Sequence, residues 1–180
     1  GKLYQNPAGN NWSGQPQGLT YQRTIGALEN YGHYAEVTLI GQKVLPVLIR
    51  NGCTFPQQLD AETGAPSGPK PDGYGPMILA ALEYLSRMYG IHLDVANERV
   101  WWSALDGAEF TATQRWGGRT WTLAAAKDRF TACLNGRKLF SCARGVRVVT
   151  DLEGKVRQVV GIAPSPQTVD LQVVGIRQER

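Results

Sequence analysis

The apolar residues change their spacing part-way along the chain, and that change most constrains what it can fold into. Up to about residue 90 they recur at the 3.6-residue period of a helix; after about residue 93 the period falls to two. Tyr21, Ile25 and Leu28 begin the helical pattern, with a stop at Tyr31-Gly32. A second helix is expected from about His33 to Arg50, with Val37, Ile40, Val44, Val47 and Leu48 on one face. Pro46 lies inside it and is expected to kink or shorten its last turns. A third helix starts near Pro76, a residue suited to a first turn. Ile78, Ala81, Leu82, Leu85 and Met88 are expected to face one way, and Gly90 to end it.

Beyond residue 93, short β-rich runs lie at Val100–Leu105, Phe110–Arg115, Thr120–Ala125, Phe130–Leu134, Lys138–Ser141, Val146–Asp151, Val156–Ile162 and Thr168–Val174. Asp106-Gly107, Gly117-Gly118, Asn135-Gly136 and Glu153-Gly154 supply turns between them. Strands this short and this regularly spaced predict an antiparallel sandwich or barrel-like sheet. The fold class is therefore α+β. A helical segment over 1–92 is followed by an antiparallel, sandwich-like β-domain over 93–180, with the junction near Ile91–Glu98. A chain of 180 residues is one domain or two small ones, long enough to bury a core without staples.

Charge and cysteine narrow the function. The net charge of +4 comes entirely from the second half. There, Arg115, Arg119, Lys127, Arg129, Arg137, Lys138, Arg144 and Arg147 are scattered rather than clustered as a nucleic-acid footprint requires. They are expected to be solvent-facing strand positions, so no nucleic-acid partner is expected. Cys53, Cys133 and Cys142 contain no CxxC pair and are expected to be buried free thiols. With an Asn135-Gly136 hairpin turn, Cys133 is expected opposite Lys138 and Cys142 opposite Arg129, so the two thiols do not meet. His33 and His92 lack metal-ligand spacing, and neither a metal nor a cofactor is expected. No apolar run approaches the ~20 residues that span a bilayer, so no membrane association is expected. The polar opening, Gly1 to Asn6, is not a signal peptide. A targeting segment removed earlier would leave no trace, and the compartment stays open.

Three loops carry the candidate chemistry. Trp12 stands among amides in Asn10–Pro16, and an indole face with Gln15 beside it suits a sugar; packing over the helix start is the plainer role. Thr54–Gly64 carries Gln57 and two carboxylates, Asp60 and Glu62. Paired carboxylates can hydrolyse glycosides when they flank the bond, ~6.5–9.5 Å apart for inversion; neighbours on one loop more often cap backbone N–H groups. Lys70–Pro76 carries Asp72 and Tyr74 into the third helix. Asp72 can complement the helix dipole there. Asn51–Gly75 as a whole is too long and Pro/Gly-rich for an ordinary connection, and is expected to be a structured loop across a site. Of Trp101-Trp102, alternating across a strand, one ring is expected in the core and the other to face the helices.

The order of these loops resembles a known family. Trp12–Gly32 (WSGQPQGLTYQRTIGALENYG) is similar to the W-x-G-P-x-W…N-Y…L-x-x-Y-G element of six-hairpin (α/α)6 glycoside hydrolases. This is the type shared by trehalases, processing α-glucosidases and mannosylglycerate hydrolase-like enzymes. Asp60–Gly68 (DAETGAPSG) resembles their P-E-T-G-E-P-x-G loop, and Asp72–Leu85 (DGYGPMILAALEYL) the F-G-W-S-A helix start that follows it. The match covers roughly residues 10–90. It implies the carboxy-terminal part of an (α/α)6 toroid followed by a β-domain. The activity implied is inverting glycoside hydrolysis, with an oligosaccharide or glycoside substrate and a partner chain or missing amino-terminal half. Asp60 and Glu62 would be catalytic candidates, and Trp12, Gln15, Gln57, Asp72 and Tyr74 would bind substrate.

One position departs from the family. Its general-base Glu lies six residues before the Thr of T-G, where this chain has Gln57. An amide cannot take a proton from water. Either Asp60 or Glu62 substitutes, the alignment slips, or the site is inactive. The alternative function is a non-catalytic carbohydrate-binding or structural module.

Overall fold

The computed structural model describes residues 14–105, 107–165 and 168–174. Trp12 and Asp106 lie outside the described residues. The fold is α+β with antiparallel sheets. It divides into two compact units, Gly1–Tyr84 and Leu85–Arg180.

The first unit contains α1 (Gly18–Asn30), α2 (Tyr34–Arg50), a two-stranded ribbon of β1 (Gln58–Leu59) and β2 (Pro66–Ser67), and most of α3 (Gly75–Met88). α1 ends at Tyr31-Gly32, where the backbone N–H groups turn back to the carbonyls of Leu28 and Glu29. α2 runs through Pro46 to Arg50 rather than stopping short. Val44 and Leu48 of α2, Leu59 of β1, and Met77 and Ala81 of α3 form the core, with Tyr21, Phe55 and Tyr74 packed at its margin.

The face that α3 buries differs from the periodic expectation. Met77, Ala80, Ala81, Tyr84 and Met88 are buried, whereas Leu82 is 57 % and Leu85 42 % exposed. α3 is apolar around most of its circumference, so period alone does not select a face. Leu79, next to Ile78, is exposed as well.

In the second unit α3 passes into β3 (Tyr89–Asp94) without a turn. A 3-10 turn (Val95–Asn97) leads to β4 (Arg99–Ala104), followed by β5 (Phe110–Trp116), β6 (Arg119–Ala125), β7 (Arg129–Leu134), β8 (Arg137–Ala143), β9 (Val146–Asp151), β10 (Val156–Gly161) and β11 (Leu171–Val173). One sheet has the order β10-β9-β4-β3 and the other β11-β8-β7-β6-β5. Both supply one core cluster: Trp102, Val100 and Val148 from the first, Trp121, Phe130 and Phe140 from the second. Trp102 and Phe140 meet edge to face with ring centroids 5.8 Å apart, and Trp102 Nε1 donates to Thr150 Oγ1 at 3.0 Å.

Several side chains sit elsewhere than expected. A bulge in the β7–β8 ladder leaves Leu139 as the extra residue, so Cys142 pairs with Phe130 and not Arg129, while Cys133 does face Lys138. Cys142 is buried, Cys133 half-buried and Cys53 exposed, so one thiol of the three is fully interior. Arg144 and Arg147 are not solvent-facing; they are 3 % and 1 % exposed. Arg144 donates to the carbonyls of Leu105, Gly107, Ala108 and Ala126, satisfying backbone groups that the β4–β5 and β6–β7 connections leave over. Trp101 lies on the opposite face of β4 from Trp102. The guanidinium carbons of Arg87 and Arg147 lie 5.0 and 4.8 Å from its ring centroid.

Candidate functional site

The three loops singled out in the sequence are drawn together in the helical unit by main-chain bonds. The first and second meet where Pro16 O accepts the Leu59 N–H at 2.9 Å and Gln57 O accepts the Gly18 N–H at 3.2 Å. Gln17 and Gln58 form an antiparallel bridge at the same place. The second and third meet where Gln57 N–H donates to Lys70 O at 2.8 Å, and the β1–β2 pairing joins the second to the Pro66-Ser67 segment between them. Tyr74 N–H donates to Phe55 O at 2.8 Å. Segments that are far apart in sequence therefore form one small platform at the start of α1 and α3.

Glycines permit this closeness. A Cβ on Gly18 would lie 2.7 Å from Met77 N. At Gly68, where φ is +80°, a Cβ would lie 2.7 Å from Gln58 Oε1. Ser67 Oγ donates to Gln15 Oε1 at 2.5 Å, so Gln15 is fixed by β2. Gln58, Ser67 and Gly68 belong to the platform but were not among the candidate site residues; Ser67 and Gly68 close the Asp60–Gly68 motif, and Gln58 carried no signal of its own.

The carboxylates divide by role. Asp60 Oδ1 accepts from Thr63 N at 2.8 Å, Thr63 Oγ1 at 2.8 Å and Glu62 N at 3.1 Å. It caps its own loop, and the bonds from Thr63 hold its carboxyl below the usual range. Asp72 Oδ1 accepts from Phe55 N and Gly73 N, both at 2.7 Å, which likewise hold its carboxyl low. It clamps one loop to another. Both groups are thus ionised at neutral pH and unsuited to act as acids. Glu62 is exposed, and its carboxylate makes no ion pair among the described residues.

Gln57 is buried at 7 % exposure, and Tyr74 packs at the margin of the core while its carbonyl accepts the Met77 N–H at 3.0 Å to begin α3. Gln15, Gln57, Asp72 and Tyr74 are therefore gathered on the platform or on its supports, with Asp60 and Glu62 on the adjoining turn. Trp12 falls outside the described residues. Among the described residues no group of three His, Cys, Asp or Glu side chains is placed to hold a metal ion. None of their helices is long and apolar enough to cross a membrane. No family model, curated protein or solved structure matches this chain.

Proposed function

We propose that the helical unit supplies one wall of a saccharide site, as the carboxy-terminal part of an inverting glycoside hydrolase of the (α/α)6 type. The observation that carries this reading is the gathering of three separate loops, in the order the resemblance implies, on one platform of amides, carboxylates and an aromatic ring. In this reading Gln15 and Gln57 bond sugar hydroxyls and Tyr74 borders the ring. Glu62 is the better candidate to take a proton from the attacking water, because Asp60 spends an oxygen on its own turn. The opposing general acid comes from a partner chain or an amino-terminal half. Leu79 and Leu82, both more than half exposed on α3, support an unfilled side to the ring of helices. The β-unit is read as sandwich-like, its two sheets feeding one core.

The test is turnover by the assembled enzyme. Glu62→Gln is expected to abolish hydrolysis of a glycoside substrate while leaving binding in place, and Asp60→Asn to reduce it through the loop. Full turnover by both variants contradicts the catalytic assignment.

A non-catalytic carbohydrate-binding module is the second reading. The carboxylates favour it, since both Asp60 and Asp72 have an oxygen engaged with backbone N–H groups. Saccharide binding unaffected by Glu62→Gln, with no hydrolysis by the native assembly, decides for it.

A further inference from the structure

Within the β-unit, a cleft of about 300 Å³ opens beside the edge strands β10 and β11. Val156 of β10 and Val173 of β11 line it, together with Val174. Its floor is Leu139, the extra residue of the β8 bulge, 5 % exposed and part of the core cluster. Val156 packs against the same cluster, so the cleft opens onto the core. The β9–β10 turn closes on Leu139 through Gly154, where φ is +93° and a Cβ would lie 2.5 Å from Leu139 Cδ2. The cleft is therefore built by a bulge and a glycine turn that fit each other.

Its rim is basic. Arg137, Lys138 and Lys155 line it, and none of the three forms an ion pair among the described residues. The acidic group on the lining, Glu153, accepts from Arg119 at 2.9 Å, which offsets its charge. The volume falls at the lower end of the ~300–1,000 Å³ of small-molecule sites, which are mostly apolar with a few placed polar groups. Apolar walls beside cations that form no ion pair among the described residues fit a ligand with an apolar body and an anionic end. A phosphodiester chain would leave the valines and Leu139 unused.

We infer that this cleft binds an anionic amphiphile, an alkyl chain on Leu139, Val156 and Val173 with its carboxylate toward Lys138 and Lys155. This inference is independent of the saccharide proposal.

The test is titration of the whole chain with decanoate below its micelle concentration, followed by backbone amide NMR. Decanoate is expected to shift the amides of Leu139, Gly154, Val156 and Val173. Decanol, with the same chain and no charge, is expected to bind more weakly, and acetate not to bind. Lys138→Glu with Lys155→Glu is expected to weaken decanoate by about tenfold or more, since like charges are then juxtaposed. Val173→Asp, at a position 58 % exposed and so tolerant of change, is expected to weaken both alkyl ligands. Unchanged circular dichroism and melting verify that the variants fold. No shift at those amides, or equal decanoate affinity in wild type and the charge-reversed variant, overturns the inference.

Discussion

The Asp72 carboxylate accepts the Phe55 N–H at 2.7 Å, across 17 residues of chain. This bond ties the loop entering α3 to the loop leaving α2. Asp72→Ala is expected to speed hydrogen exchange of the Phe55 amide and lower the melting midpoint. Asp72→Asn, which keeps an acceptor oxygen, is expected to do less of both. Folding holds the Asp72 carboxyl below its ordinary value of 3.8. Its contribution is therefore present above about pH 4 and lost as pH falls through the folded-state value. Melting curves of wild type and Asp72→Asn are expected to converge on acidification.

Gly18 sits against the backbone of Met77, with room for no Cβ. Gly18→Ala forces α1 away from α3 and is expected to cost about 1–3 kcal/mol, as overpacking does. Gly26→Ala, where a Cβ would meet nothing within 4 Å, is the control and is expected to be neutral or stabilising. Urea denaturation of both variants measures the difference.

Thr150 and Trp102 are both fully buried and bonded to each other. Thr150→Val keeps the shape and removes the acceptor, leaving the indole N–H unpaired at a cost of about 1–3 kcal/mol. In a Trp102→Phe background the same substitution is expected to cost much less. Chemical denaturation of the four proteins closes the cycle, and equal costs in both backgrounds contradict the bond.

Burial pushes the Cys142 thiol up to about 11. Cys53 is exposed and is expected to react with a thiol reagent at pH 8 within seconds to minutes, Cys142 only on unfolding. The raised value has a sign for stability. The unfolded chain ionises this thiol first, near the ordinary 9.0, so stability is lost as pH rises from there toward 11. Cys142→Ala is expected to flatten that alkaline decline while lowering stability at pH 7 through its cavity.

The helical and β-rich halves were legible because period is a local property. Phe110, Trp121 and Phe130 announce strands through neighbours two residues away. β3 was not legible: Tyr89–Asp94 follows α3 directly, and Gly90 reads as a helix stop. Neither was the buried face of α3, since a helix apolar almost all round gives Leu82 and Met77 equal claim to the core. Arg147 sits where a solvent-facing strand position is expected and Arg144 in the β8–β9 turn; their burial depends on carbonyls from distant connections and on the Trp101 face of β4. The platform was legible as three segments in order. The bonds that join them, such as Ser67 to Gln15, follow only from the fold.

The most direct measurement is an NMR titration of the chain with an oligosaccharide panel, following the side-chain amides of Gln15 and Gln57 and the ring of Tyr74. The proposed saccharide site predicts that one saccharide class shifts these three signals together, saturably, and that Asp72→Ala weakens the response. Saccharide binding that leaves all three unmoved, or no response to any member of the panel, contradicts it.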